Sequence, residues 1–149
     1  MKVGEYCKRQ VIWIEPGADL QEAARVMRDR HVGFLVVAEP RGSQCVPVGV
    51  ITDRDIVVAI DAAGVDPRSV TVGDAMTDDP VVASESDDFD ELIRGMRMAG
   101  IRRVPVVDAQ GNLSGVIAAD DVIEALTGWL AELCGAFRNE QRHERRLRG

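Results

Sequence analysis

Residues 49–57, G-V-I-T-D-R-D-I-V, return at 115–123 as G-V-I-A-A-D-D-V-I, and this repeat limits what the chain can fold into. Upstream, R-H-V-G-F-L-V-V-A-E (30–39) aligns with A-G-I-R-R-V-P-V-V-D (99–108), at an offset of 69 in place of 66. The difference falls between Glu39 and Pro47, which reads as a longer loop in the first half. Asp19, Glu22 and Met27 likewise match Asp88, Glu91 and Met96. A half of about 60 residues is marginal alone, so two halves are expected to bury each other's apolar sheet faces.

Each half reads strand, helix, strand, strand, helix. In the first, Val11–Ile14 is a strand and Pro16-Gly17 a turn. Asp19 caps a helix whose inner stripe is Leu20, Ala23, Ala24 and Met27. Phe34–Ala38 and Val48–Ile51 are strands, and Asp53–Ala62 is a helix stopped by Gly64 and Pro67. Val72–Met76 reads as a connecting turn. In the second half, Val81–Ala83 is a strand and Asp88–Met98 a helix with Leu92, Ile93 and Met96 inward. Val104–Val107 and Leu113–Ile117 are strands around a turn at Asp108–Asn112, and a helix starts at Asp120. The fold class is α/β (α+β): two pseudo-symmetric β-α-β-β-α repeats packed sheet to sheet, with a C-terminal helical extension. The boundaries expected are 1–68, 69–128 and a tail at 129–149.

The repeated element carries chemistry. Gly49-Val50-Ile51 is a buried strand feeding a helix that starts at Thr52, with Ile56, Val57 and Ile60 as its apolar stripe. The N–H groups and positive dipole end of a helix start attract anions. An acid there, Asp55, suits sugar hydroxyls, as in dinucleotide folds. Thr52 with helix N–H groups for a phosphate and Asp55 for a ribose make a nucleotide grip. The same two residues also satisfy a plain capping box.

Composition sets limits. A net charge of −7 argues against nucleic acid or an anionic membrane as partner of the body. Three widely spaced cysteines, Cys7, Cys45 and Cys134, read as free thiols in a reducing compartment. No secretory leader or apolar span is evident, so the expected location is the cytoplasm. The acids between Asp74 and Glu91 lack calcium-loop spacing and read as a solvated face; no metal site is expected. His31, which stands where Gly100 does in the other repeat, reads as a surface turn. The last helix continues an apolar stripe through Leu126, Trp129, Leu130, Leu133 and Phe137. Its end, from Arg138, has five Arg against two Glu, leaving the remainder near −10. That end reads as a solvated, fraying tail or as a partner or oligomer contact.

The doubled G-h-x-x-x-x-D element (h apolar), I-R-R-V-P-V-V-D before its second copy, and M-T-D-D-P-V-V entering the second repeat resemble a tandem pair of cystathionine-β-synthase (CBS) domains, the Bateman module. I-T-D-R-D-I-V and A-A-G-V-D-P are similar to small stand-alone bacterial CBS-pair proteins of the hypoxic-response type. The resemblance implies two clefts between the repeats that take adenosine-type ligands: AMP, ADP, ATP, NAD or S-adenosylmethionine. It also implies a homodimer of disc shape. Carried onto this sequence, the first cleft has Thr52 and Asp55, a base of Val50 and Ile51, and a wall of Thr77, Val81, Ile101 and Arg102, with Arg102 facing phosphate. The second has Asp121 with Ile12, Val32, Gly33 and Arg103, but Ala118 stands where Thr52 does, so this cleft is expected to be the weaker.

The function implied is a non-enzymatic sensor that binds such a ligand and is read by a partner. The alternative is an interaction protein with empty clefts that docks a partner or a second copy through the Leu126–Phe137 stripe. No nucleophile–base pair suggests an enzyme.

Overall fold

The computed structural model describes residues 1–148. The chain opens with a one-turn helix, α1 (Val3–Tyr6), then β1 (Trp13–Ile14), α2 (Leu20–Arg30), β2 (Phe34–Arg41), β3 (Gln44–Thr52) and α3 (Asp53–Ile60). The order then recurs as α4 (Val72–Ala75), β4 (Thr77–Asp78), β5 (Ala83–Ser84), α5 (Phe89–Ala99), β6 (Arg103–Val107), β7 (Leu113–Ala118) and α6 (Ala119–Arg148). One sheet runs β1-β2-β3-β4 and the other β5-β6-β7. In both, a short leading strand lies parallel to the first strand of an antiparallel hairpin.

Strand alternation builds two kinds of core. Leu35, Val37 and Ile51 point to the first half's own helices, with Leu20, Ala23, Met27 and Ile56. Val104, Val106 and Ile117 do the same in the second half, with Phe89, Leu92, Met96 and Val122. Val36 and Pro105, also fully buried, occupy the alternate face of each hairpin, where the sheets meet. At that junction the Cys45 N–H donates to Asn112 Oδ1 at 3.3 Å.

The halves exchange their leading segments. Val72 of α4, which precedes the second repeat, is buried in the first half, and Val3 of α1, which precedes the first repeat, is buried in the second. The same three backbone bonds anchor both. Val3 N–H and Gly4 N–H donate to the carbonyls of Asp87 and Glu85, and Phe89 N–H to that of Met1. Val72 N–H and Gly73 N–H donate to Ala18 and Pro16, and Leu20 N–H to Val70. Beyond α4, β4 pairs Thr77 with Val50; beyond α1, Lys8 makes the equivalent bridge to Val116.

Several expectations change. Val72–Met76 is no plain turn: Thr71 accepts from the Asp74 N–H at 3.2 Å and starts a helix. The stretch Glu39–Pro47 is mostly strand, extending the first hairpin to a turn at Gly42-Ser43. β1 holds only Trp13 and Ile14, and the strand expected at Val81–Ala83 begins at Ala83, with Val81 and Val82 exposed. α3 stops at Ile60, where the Gly64 N–H turns back to the Ile60 carbonyl at 2.8 Å. Ala24 and its counterpart Ile93 face outward, as does Val57, because in each helix one narrower stripe already fills the contact with the sheet. The basic end is helical and solvated: α6 runs from Ala119 to Arg148 with its last turns exposed. His31 and Gly100 end α2 and α5 at φ 54° and 66°.

Candidate functional site

The starts of α3 and α6 occupy equivalent positions in the two repeats. At α3 the capping box closes on itself. Thr52 Oγ1 accepts from the Asp55 N–H at 3.2 Å, and Asp55 Oδ2 from the Thr52 N–H at 2.8 Å. At α6 the acid keeps its half of the box: Asp121 Oδ2 accepts from the Ala118 N–H at 2.8 Å. Its other oxygen, Oδ1, lies 2.9 Å from Lys8 Nζ, which is exposed while the Asp121 side chain is largely buried. The hydrogen bond to Asp121, backed by its charge, holds the Lys8 pKa above its ordinary value.

The first-cleft residues are differently placed. Val50 pairs with Thr77 across β3 and β4. Ile51 turns its side chain into the first half's core, so it can offer a cleft only its backbone. Thr77 and Val81 are exposed, and Ile101 packs partly against the second half's core. Arg102 is exposed: its guanidinium pairs with Asp120 Oδ1 at 3.2 Å, while its carbonyl accepts from the Ala119 N–H at 2.8 Å.

The second cleft forms a cavity of about 310 Å³ between the halves. All five residues expected there line it: Ile12, Val32 and Gly33 from the first half, Arg103 and Asp121 from the second. Ala118 lines it too. The volume falls in the range of small-molecule pockets, about 300–1,000 Å³. Gly33 admits the Asp53 carboxylate, which a Cβ there would meet at 2.7 Å.

Six further lining residues, Lys8, Gln10, Val11, His31, Phe34 and Val116, escaped the sequence reading. Lys8 is the most consequential, since it supplies a cation on the far side of Asp121. A signal existed: Val3-Gly4-Glu5 precedes Lys8 as Val72-Gly73-Asp74 precedes Thr77, at the same offset of 69. Phe34 lies under the Arg103 guanidinium, 5.9 Å from ring centroid to Cζ. Gln10 and His31 sit on the same wall.

The CBS domain profile matches residues 3–62 and again 72–128. The chain belongs to the CBS domain family. As a CBS pair it is 32% identical over 124 residues to the uncharacterized protein MK0525 of Methanopyrus kandleri, covering 83% of this chain and 62% of that one. It is 32% identical over 107 residues to Hypoxic response protein 1 of Mycobacterium tuberculosis, covering 72% of each. Among solved CBS structures, CBSX2 in complex with AMP superposes with a TM-score of 0.70 at 25% identity, covering 85% of this chain and 96% of that one. Both matched segments of this CBS pair begin in or at an exchanged helix, α1 or α4.

Proposed function

We propose that this CBS pair is a regulatory module that binds an adenosine-type nucleotide in the cavity between Lys8, Arg103 and Asp121. The carrying observation is the lining: one largely buried carboxylate at a helix start, two cations beside it, and an apolar wall of Ile12, Val32 and Phe34. Asp121 accepts from ribose hydroxyls, the apolar wall takes the adenine, and Lys8 and Arg103 meet phosphate. The CBSX2 complex with AMP supports the ligand class. The two cations favour a phosphorylated ligand (AMP, ADP, ATP or NAD) over the cationic sulfonium of S-adenosylmethionine. The cleft of Thr52 and Asp55 is the second, weaker site.

The role is sensing rather than catalysis. A ligand bridging the two halves stabilises one arrangement of them, and a partner reads that arrangement. Thermal unfolding with AMP, ADP, ATP, NAD and S-adenosylmethionine tests this. A ligand at 100 times its Kd adds about 2.7 kcal/mol of stability. Asp121→Asn, which keeps an acceptor for the Ala118 N–H, should remove most of the response, and Asp55→Asn little of it. No response to any of the five compounds would end the reading.

A further inference from the structure

The cavity between the halves sorts its lining by depth. Ile12, Val32, Phe34 and Val116 are half-buried, and Asp121 lies among them as the one acid that lines it. Lys8, Gln10, His31 and Arg103 are exposed and form the mouth. Each of these four carries an N–H donor, and none is an acid.

The repeat shows what is particular to this mouth. At the offset of 69, Lys8 answers to Thr77, Gln10 to Asp79 and His31 to Gly100. A cation, an amide and an imidazole therefore stand where the other cleft has a hydroxyl, a carboxylate and no side chain. Each of the three changes favours an anion. Arg102, which answers to Gly33, runs the other way, but its guanidinium is paired with Asp120.

Of the three, His31 is the one whose side chain takes no part in the local fold. It closes α2 through its backbone, whose N–H donates to the Arg28 carbonyl at 3.3 Å. Gly100 closes α5 likewise, through a bond to Met96. Both residues are left-handed, at φ 54° and 66°, where a Cβ is strained. A strained side chain held at the mouth of a cavity points to function. Lys8 and Arg103 suffice for a first phosphate, whose charge is about −1.5 to −2. A second or third phosphate lies farther from Asp121 and nearer solvent, on the side of the exposed imidazole. Neutral or protonated, that ring has an N–H to donate.

We propose, resting on the nucleotide reading of this cavity, that His31 is a specificity-determining residue. Its imidazole donates to the outer phosphates, so that a nucleoside di- or triphosphate binds in preference to the monophosphate.

Titration calorimetry on the full chain with AMP, ADP and ATP, in magnesium-free buffer, tests this in wild type, His31→Gly and His31→Phe. His31→Gly removes the ring and suits φ 54°, so the helix end stays formed. His31→Phe keeps a ring and the strain but has no donor. Wild type should bind ADP and ATP about tenfold more tightly than AMP, the scale of one charge-assisted hydrogen bond. Both variants should lose that preference through weaker ADP and ATP binding, with AMP held within about twofold of wild type. A wild type without the preference, a His31→Phe that keeps it, or a His31→Gly that weakens AMP as much as ATP would each overturn the role of His31 and leave the nucleotide reading standing. A wild type that binds none of the three would overturn both.

Discussion

Lys8 Nζ stands 2.9 Å from Asp121 Oδ1 and closes the carboxylate that would otherwise face the cavity. With the Ala118 N–H on the other oxygen, both oxygens of Asp121 are engaged. Each oxygen keeps a second acceptor site for a ribose hydroxyl, and Lys8 is exposed enough to swing toward a phosphate. Lys8→Ala should lower AMP affinity about tenfold, the scale of one charged hydrogen bond at about 1.5 kcal/mol, and leave adenosine binding equal or tighter. Folding stability should move by about 1 kcal/mol, because Lys8 is exposed and Asp121, though largely buried, keeps its bond from the Ala118 N–H. Titration calorimetry with both ligands checks it; an unchanged preference for AMP over adenosine would remove Lys8 from the phosphate site.

Gly115 fixes the position of that lysine. A Cβ there would meet Cys7 Sγ at 2.7 Å and the Lys8 carbonyl at 3.1 Å. Lys8 exchanges two backbone bonds with Val116, at 2.9 and 3.0 Å, so its strand cannot back away without losing them. Gly115→Ala should destabilise by about 1–3 kcal/mol, as overpacking does. Cys7→Ala in the same chain should recover part of the loss, because it relieves only the contact with sulfur. Urea unfolding of the three variants decides, and a neutral Gly115→Ala would mean that the leading segment is loosely held.

His31 ends α2 in the left-handed region at φ 54°, where the other repeat places Gly100. A Cβ in that conformation costs about 1–2 kcal/mol, partly offset by the greater chain entropy that glycine loses on folding. His31→Gly should therefore stabilise the ligand-free chain by about 0.5–1 kcal/mol, and Gly100→Ala should destabilise it by a similar amount. Paired urea midpoints measure both. A less stable His31→Gly would show that the imidazole makes up for the strain.

The repeat was legible because two-fold internal similarity survives in short apolar and acidic motifs: G-V-I, the D after it, and V-V before it. Helices and hairpins followed from those. What stayed hidden was the exchange of α1 and α4 between halves. Val3-Gly4-Glu5 and Val72-Gly73-Asp74 are too short to register as helices, and their stability comes from partners far along the chain. With α1 unseen, Lys8 was unseen. That Ala118, which stands where Thr52 does in the other repeat, lines a cavity of about 310 Å³ was not readable from the repeat. The ion pair of Arg102 with Asp120 depends on a rotamer that no spacing rule reports.

The turn between β6 and β7 gives a pH-dependent test of the junction. The Asn112 N–H and the Gln110 N–H both donate to Asp108 Oδ1 at 2.9 Å, and Asn112 Nδ2 donates to Oδ2 at 3.1 Å. These bonds, those from Asn112 first, hold the Asp108 pKa below the ordinary carboxylate range. A carboxyl depressed in the folded state stabilises fully above its unfolded pKa, and that stabilisation is lost as pH falls through the folded value. Asp108→Ala should therefore be less stable than wild type at neutral pH, and the gap should close on acidification below the ordinary carboxylate range. Asn112 Oδ1 also accepts from the Cys45 N–H of β3, so the same turn ties one half to the other. Amide exchange at Cys45 should accelerate in Asp108→Ala at neutral pH and in wild type only in acid. A Cys45 amide indifferent to both would show that the link between the halves does not run through this turn.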